Sequence, residues 1–448
     1  MKRGKAIIIA LLGLVLAMTA QAQTSYEDVD PTGQTVSFWH QHSGIRETAL
    51  LEIVDEFNQT NEWGITVNAE FQGGYDDIFQ KMVALLGTND VPNIVVAYQN
   101  QAATYQLVDG LVDMRPLVNS EKWGLSEADK ADFFPGFYQS DIFPTFDNQR
   151  LGIAPNRSME VMYYNATWLD ELRESGAIDF EGPPTTPEQF RAAACAATEQ
   201  PYSGATSEGR SFGYELAVDA SRFASWTFAF GGNVYDEETN RYTLNSDGAI
   251  AAMEFLQGLF EDGCAVFISE RFGDQTNFGA GRTLFTVGSS SGLPFYQEAI
   301  DAGATFDWSV AAIPHTTEDP VMNVYGASVS LPAGHSPEET LASWLFLKYY
   351  TGTEAQAKWA NASQYFPVRE SVAAGLGPIF EELPAYGSAF SMLEYGIAEP
   401  NVPGYDFVRA LIDSEMSAIM DGADVESTLE FANQEANLIL DDQLEQLP

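Results

Sequence analysis

An α/β fold large enough for two lobes is what the sequence predicts, and three observations predict it. Short apolar strands alternate with amphipathic helices, the pattern of sheets covered by helices. Of 448 residues, about 426 remain once a 22-residue leader is set aside, more than one core of ordinary size accommodates. Hydrophobic residues make up 45% and aromatic residues 12%, a composition that disorder does not carry.

The chain opens with "MKRGKAIIIALLGLVLAMTAQAQ": Lys2, Arg3 and Lys5, an apolar run from Ala6 to Met18, then the small-x-small triplet Ala20-Gln21-Ala22. This reads as a secretory signal peptide over residues 1–22. The run is shorter than the ~20 residues that cross a bilayer, and no cysteine stands near the cleavage site to take a lipid. A soluble periplasmic or extracellular protein is expected.

"TVSFWH" then reads as a first strand, and "ETALLEIVDEFNQTNE" as a helix with Leu50, Leu51, Ile53, Val54 and Phe57 on its apolar face. "GITVNAEFQ" is a second strand, "YDDIFQKMVALLGTND" a helix, "NIVVAY" a buried strand and "NQAATYQLV" a helix. Parallel α/β sheets bind ligands at such strand ends, here His40 to Gly44, Gly73 to Asp76 and Tyr98 to Asn100. Further on, Thr186 before Pro187 predicts an N-cap with proline in the first turn. Asn245 or Ser246 caps a long helix that Gly263 stops. Helices fill the C-terminal part.

The charges are 21 basic against 64 acidic, and loss of the leader's three basic residues leaves 18 against 64, or −46. Such a surface repels phosphate backbones and anionic lipid, so no nucleic-acid partner is expected. Cys195 and Cys264 are the only cysteines. Export favours a disulfide between them over two buried thiols.

In register along the chain, several segments resemble the extracellular solute-binding proteins of ABC transporters, in the group of the maltose- and glycerol-3-phosphate-binding proteins. They are "VSFWHQHSG" with "DEFNQTNE", "RLGIAPNRSMEVMYYNATWLDE", "TPEQF", "AAMEFLQGLFEDG", "FGAGRTLFTVGSSSG", "VAAIPHT" with "VYGASVSLPA", and "ASQYFPVRESV". The resemblance implies a periplasmic-binding-protein fold with an interlobe cleft and a hinge. Lobe one would hold residues 24–155 plus 313–362, and lobe two residues 156–312 plus 363–448. The chain would cross between them near 154–162, 309–325 and 361–366. It also implies a monomer without cofactor or catalysis that binds a small solute, a sugar or a glycerol phosphate, and delivers it to the transmembrane subunits of an ABC permease.

Two other chemistries leave partial marks in the sequence. His40 and His42 share one side of an extended segment and suit a metal. His315 and His335 are the only further histidines, too few for an amidohydrolase-type centre. "GSSSG" places Ser290 at the nucleophile position of G-x-S-x-G, with Asp307 or Asp319 and then His335 in triad order, but no oxyanion-forming "HGGG" precedes it. A secreted hydrolase using His40 and His42 with a metal, or Ser290, is the alternative from another class.

Within the resemblance, "GGYDD" stands where the glycerol-3-phosphate group carries a tyrosine and an acidic ligand contact, which implies Tyr75 and Asp76. Arg409 in "PGYDFVRALID" sits near that group's arginine, and Arg157 and Arg222 are further cations. Val218 and Ser221 stand where that group has tryptophans, and Trp226 lies further on. The candidate cleft set is Trp39, His40, His42, Tyr75, Asp76, Gln99, Asn100, Trp226, Ser289, Ser290, Gly326, Tyr365 and Arg409. Aromatic faces with short polar groups suit a mono- or oligosaccharide, whereas a phosphate asks for converging arginines.

Overall fold

A computed structural model describes residues 25–447 except 89 and 208. The signal peptide expected over residues 1–22 lies outside the described residues.

Two sheets organise the chain. The first runs Ser328–Ser330, Ile94–Ala97, Thr35–His40, Thr66–Phe71, with the last three strands parallel to one another. Ile94–Ala97 is apolar throughout and buried at every residue, as a central strand covered on both faces must be. Helix Gly44–Thr60 covers it with Leu50, Ile53, Val54 and Phe57, a stripe at helical spacing. Leu51 falls off that stripe and is exposed. Helix Pro337–Tyr350 also packs here. Ser336 caps it, accepting from the Glu339 N–H at 3.2 Å, while the Glu339 carboxylate accepts from the Ser336 N–H at 3.0 Å.

The second sheet runs Ala265–Phe267, Phe212–Leu216, Thr283–Ser289, Ser158–Asn165, Met322–Tyr325, Gly396–Ala398, with Trp308–Ala311 paired along the distal half of Ser158–Asn165. Its helices begin where capping chemistry predicts. Thr186 accepts from the Gln189 N–H, and Ser246, not Asn245, caps Asp247–Glu261. Cys195 on helix Pro187–Glu199 is bonded to Cys264, which sits in the turn leading into Ala265–Phe267.

The lobe boundaries differ from those expected. Met322–Tyr325 pairs antiparallel with Ser158–Asn165, so residues 313–325 belong with the second sheet, and the chain passes to lobe one at Gly326 and Ala327. Tyr365 and Val368 still pack in the lobe-one core and Arg369 reaches Asp132, which moves the last departure from lobe one beyond residue 363. The reason is pairing: a strand goes where its ladder is completed.

A buried network holds the crossings together. Arg157 and Phe366 exchange backbone hydrogen bonds of 3.2 and 2.8 Å. The buried Arg157 guanidinium donates to Ser140 Oγ at 2.7 Å and Ser328 Oγ at 3.0 Å and lies 3.7 Å from Asp141. Gly326 adopts φ +150°, and a Cβ there would sit 3.3 Å from the Arg157 Cα and the Asn156 carbonyl oxygen. Apart from Ser328–Ser330 in the first sheet and Ser158–Asn165 in the second, the strands of each sheet share direction, and both sheets turn the C-terminal ends of these strands toward one gap, where Asn100 meets Asp406 and Arg46 meets the Ser291 carbonyl.

Candidate functional site: a cleft between the lobes

Lobe one presents aromatic rings to this gap. Tyr98 follows strand Ile94–Ala97 and Tyr75 opens helix Tyr75–Leu85, their rings edge to face with centroids 4.7 Å apart. Gln41, just past the first strand, donates to the Tyr75 hydroxyl at 2.8 Å. Tyr365, from the last crossing segment, closes the group.

Lobe two presents tyrosine and paired charges. Tyr325, at the end of its strand, donates to Glu160 at 2.5 Å. Arg222 lies 3.7 Å from Glu160 and 3.6 Å from Asp219. Arg409 donates to Glu399 at 2.6 Å, Ser221 Oγ at 3.0 Å and Asp219 at 3.2 Å. Asp219 also caps helix Ala220–Ala229 through the Ser221 N–H.

The electrostatics follow from this crowding. Burial pushes the Tyr75, Tyr98 and Tyr325 hydroxyls upward, so they act as neutral hydrogen-bonding groups. Burial raises Glu160 against the pull of Arg222. Burial alone would raise Asp219 too, but Arg409 and Arg222 hold it below the usual carboxylate range. Asp406 is pushed up to about 6 by burial, with Arg409 opposing and Asp76 adding.

Of the expected residues, Tyr75, Asp76, Asn100, Ser289, Tyr365 and Arg409 lie around this cleft. Asp76 is exposed on the first turn of its helix, its charge felt by Asp406 opposite. Trp39 packs into the same apolar cluster as Tyr75 and Tyr98. His42 is buried edge-on to Trp359 at 4.7 Å and to Tyr365 at 6.3 Å, forming the floor under Tyr365.

The other expected residues stand elsewhere. His40 is buried against Phe38, the exposed Phe71 and the His42 ring, and neither ring nitrogen finds a partner. Gln99 donates to Ser328 Oγ at 2.9 Å and Asp141 at 3.1 Å, and with Gly326 it serves the crossing network. Trp226 is fully buried in the lobe-two core among Phe190, Tyr214 and Phe255, because helix Ala220–Ala229 turns that face inward. Ser290 is buried and its hydroxyl accepts the Met159 N–H at 3.1 Å, so it is a structural group.

The hydrolase arrangement is not assembled. His335 lies against the Pro92 carbonyl at 3.0 Å in lobe one, away from Ser290. Among the described residues, the one cluster with metal-ligand spacing is Cys195, Asp262 and Cys264, whose sulfurs form the disulfide.

Arg46, Asp219, Tyr325, Glu399 and Asp406 escaped sequence reasoning, while Gln41 and Tyr98 fall in the expected strand-end loops without standing in the candidate cleft set. The strand-end rule pointed at Tyr98, which closes "NIVVAY", and the aspartate of "VDAS" is an N-cap signature. Glu399 and Asp406 carry no local signal, since only long-range packing brings them to Arg409 and Asn100.

Two α/β lobes, linked by crossing segments and lining an aromatic and charged cleft, define a two-lobed solute-binding protein. The family model for bacterial extracellular solute-binding proteins matches residues 52–387, and the chain belongs to that family. The sn-glycerol-3-phosphate-binding periplasmic protein UgpB of Rhizobium meliloti is 24% identical over 421 residues, covering 90% of this chain and 93% of that protein. The fold matches UgpB from Mycobacterium tuberculosis in complex with glycerophosphocholine, with TM-score 0.75, 22% identity and coverage of 92% of this chain and 99% of that one. It also matches the GacH receptor of Streptomyces glaucescens, solved unliganded and with acarbose, with TM-score 0.76, 16% identity and coverage of 92% and 99%.

Proposed function

We propose that this protein is the exported, non-catalytic receptor of an ABC importer, holding a carbohydrate in the interlobe cleft and passing it to the membrane permease. One observation carries the sugar reading. Tyr75, Tyr98, Tyr325 and Tyr365 face a gap whose lobe-two arginines, Arg222 and Arg409, are already paired with Glu160, Asp219 and Glu399. Rings stack on sugar C–H faces, and carboxylates and hydroxyls accept and donate to sugar hydroxyls, whereas a phosphate dianion would meet neighbouring negative charge. The acarbose-binding relative is consistent with this.

A second reading, a glycerol phosphate or glycerophosphodiester, is favoured by Arg409 and by the two UgpB relatives. Calorimetric titration of the mature protein against saccharides and glycerol phosphates separates them. The sugar reading expects 1:1 saccharide binding weakened in Asp76→Ala. Binding of glycerol phosphates alone, lost in Arg409→Ala and kept in Asp76→Ala, would replace it.

A further inference from the structure

Arg46 differs from the other cleft arginines. It stands in the first turn of helix Gly44–Thr60 and crosses the gap, its guanidinium over the rings of Tyr365 at 4.6 Å and Phe295 at 5.0 Å. Nη2 donates to the Ser291 carbonyl and to the Ser363 carbonyl, the latter at 3.4 Å. Among the described residues no carboxylate pairs with it, whereas Arg222 and Arg409 each have two carboxylates within 4.0 Å and Arg157 has Asp141. Its Nε is buried without a partner, and so is the Oε1 of Gln41, the residue that hydrogen-bonds Tyr75.

A half-buried guanidinium without a counter-ion is costly, and ring faces and carbonyl oxygens offset only part of that cost. An oxyanion offers what this edge of Arg46 lacks, since two oxygens match the planar N–H fork. The N–H groups of the helix N-terminus two residues away lie on the same side of the charge balance. The neighbouring His42 does not compete, because burial, reinforced by the Arg46 charge, keeps it neutral.

We propose that Arg46 is the anion-recognising residue of the cleft, and that the solute carries one singly charged oxyanion there. The group is either the carboxylate of an acidic saccharide or the phosphodiester of a glycerol head group. The inference rests on the reading of the cleft as a solute site and narrows its substrate class.

The test is titration of the mature protein, wild type, Arg46→Gln and Arg46→Lys, with uronate-containing disaccharides, their neutral hexose counterparts and glycerophosphocholine. One anionic probe should bind about tenfold or more tightly than the neutral sugars, as a charge-assisted pair implies. Arg46→Gln should abolish that preference, weakening the anionic probe about tenfold or more beyond any change in the neutral sugars, and Arg46→Lys should keep part of it. A uronate preference identifies an acidic sugar. Preference for glycerophosphocholine keeps the Arg46 assignment and ends the carbohydrate reading. Neutral sugars binding as tightly as uronates, with Arg46→Gln weakening both alike, would overturn the proposal and make Arg46 a clamp between lobes, while the carbohydrate reading would survive. Failure of every anionic probe to bind also overturns it.

Discussion

Asn100 and Asp406 join the two lobes directly, the Asn100 amide donating to the Asp406 carboxylate at 2.6 Å across the cleft. Gln101 adds a second, longer donor at 3.4 Å, and Thr104 Oγ1 accepts the Gly404 N–H at 3.2 Å beside them. These contacts exist only when the lobes meet. Hydrogen bonds to a charged group contribute about 1.5–3 kcal/mol, so Asp406→Ala should weaken solute binding roughly tenfold or more while leaving the melting of the unliganded protein nearly unchanged. Calorimetry and thermal denaturation on the same preparation check both halves.

The same carboxylate links closure to pH. With the lobes in contact, Asp406 is raised from its ordinary 3.8 to about 6, by burial first, so this arrangement binds a proton more tightly than a solvated carboxylate would. Closure should therefore take up a proton between about pH 4 and 6 and be favoured as pH falls through that window. At pH 5, binding enthalpies measured in buffers of different ionisation heat should differ in proportion to that heat in the wild type, and less so in Asp406→Asn. Buffer-independent enthalpies in the wild type would contradict this.

His40 acts with the opposite sign. Burial lowers it from 6.5 to about 4, so it folds neutral, and its stabilising contribution is complete above pH 6.5 and is lost as pH falls toward 4. At about 1.4 kcal/mol per pKa unit, the stability lost across that window is about 3 kcal/mol by linkage. Imidazole resonances of His40 should show no titration above pH 5, and a phenylalanine in its place should flatten this part of the acid-denaturation profile.

The Cys195–Cys264 bond spans 69 residues of sequence. Closing a loop of that length stabilises the folded state by about 4 kcal/mol on chain-entropy grounds. The double serine variant should lower the denaturant midpoint for lobe-two unfolding, and the unfolded, unreduced wild type should yield no alkylatable thiol.

Trp226 and Tyr98 separate core from cleft. Trp226→Ala should cost about 3–5 kcal/mol of stability, since it opens a cavity among Phe190, Tyr214 and Phe255. Tyr98→Ala should cost less stability and weaken solute binding. Denaturation and titration of both variants read the contrast.

Local patterns carried much of the fold. The apolar stripe of helix Gly44–Thr60, the Thr186 and Ser246 caps and the buried run Ile94–Ala97 all express physics that acts within a few residues. Lobe assignment was less legible, because Met322–Tyr325 and Ser328–Ser330 are close neighbours in the chain and yet join different sheets, one against Ser158–Asn165 and the other against Ile94–Ala97, both distant in sequence. At the cleft, strand ends pointed to Tyr75 and Asn100. Trp226 misled because an amphipathic helix with aromatics on several faces does not declare which one meets the core. Arg46 lay hidden in a helix start, and only the opposite lobe, with Phe295 and the Ser291 carbonyl, gives its side chain a place.

A solute held between the lobes against Tyr75, Tyr98, Tyr325 and Tyr365 is the central expectation. A crystal structure of the mature protein with the tightest-binding saccharide from the titration panel tests this most directly. Ligand density is expected in the interlobe gap, with sugar rings against those tyrosines and hydroxyls on the carboxylates of lobe two. Saccharide density at any other surface, with the cleft closed and unoccupied, would contradict it.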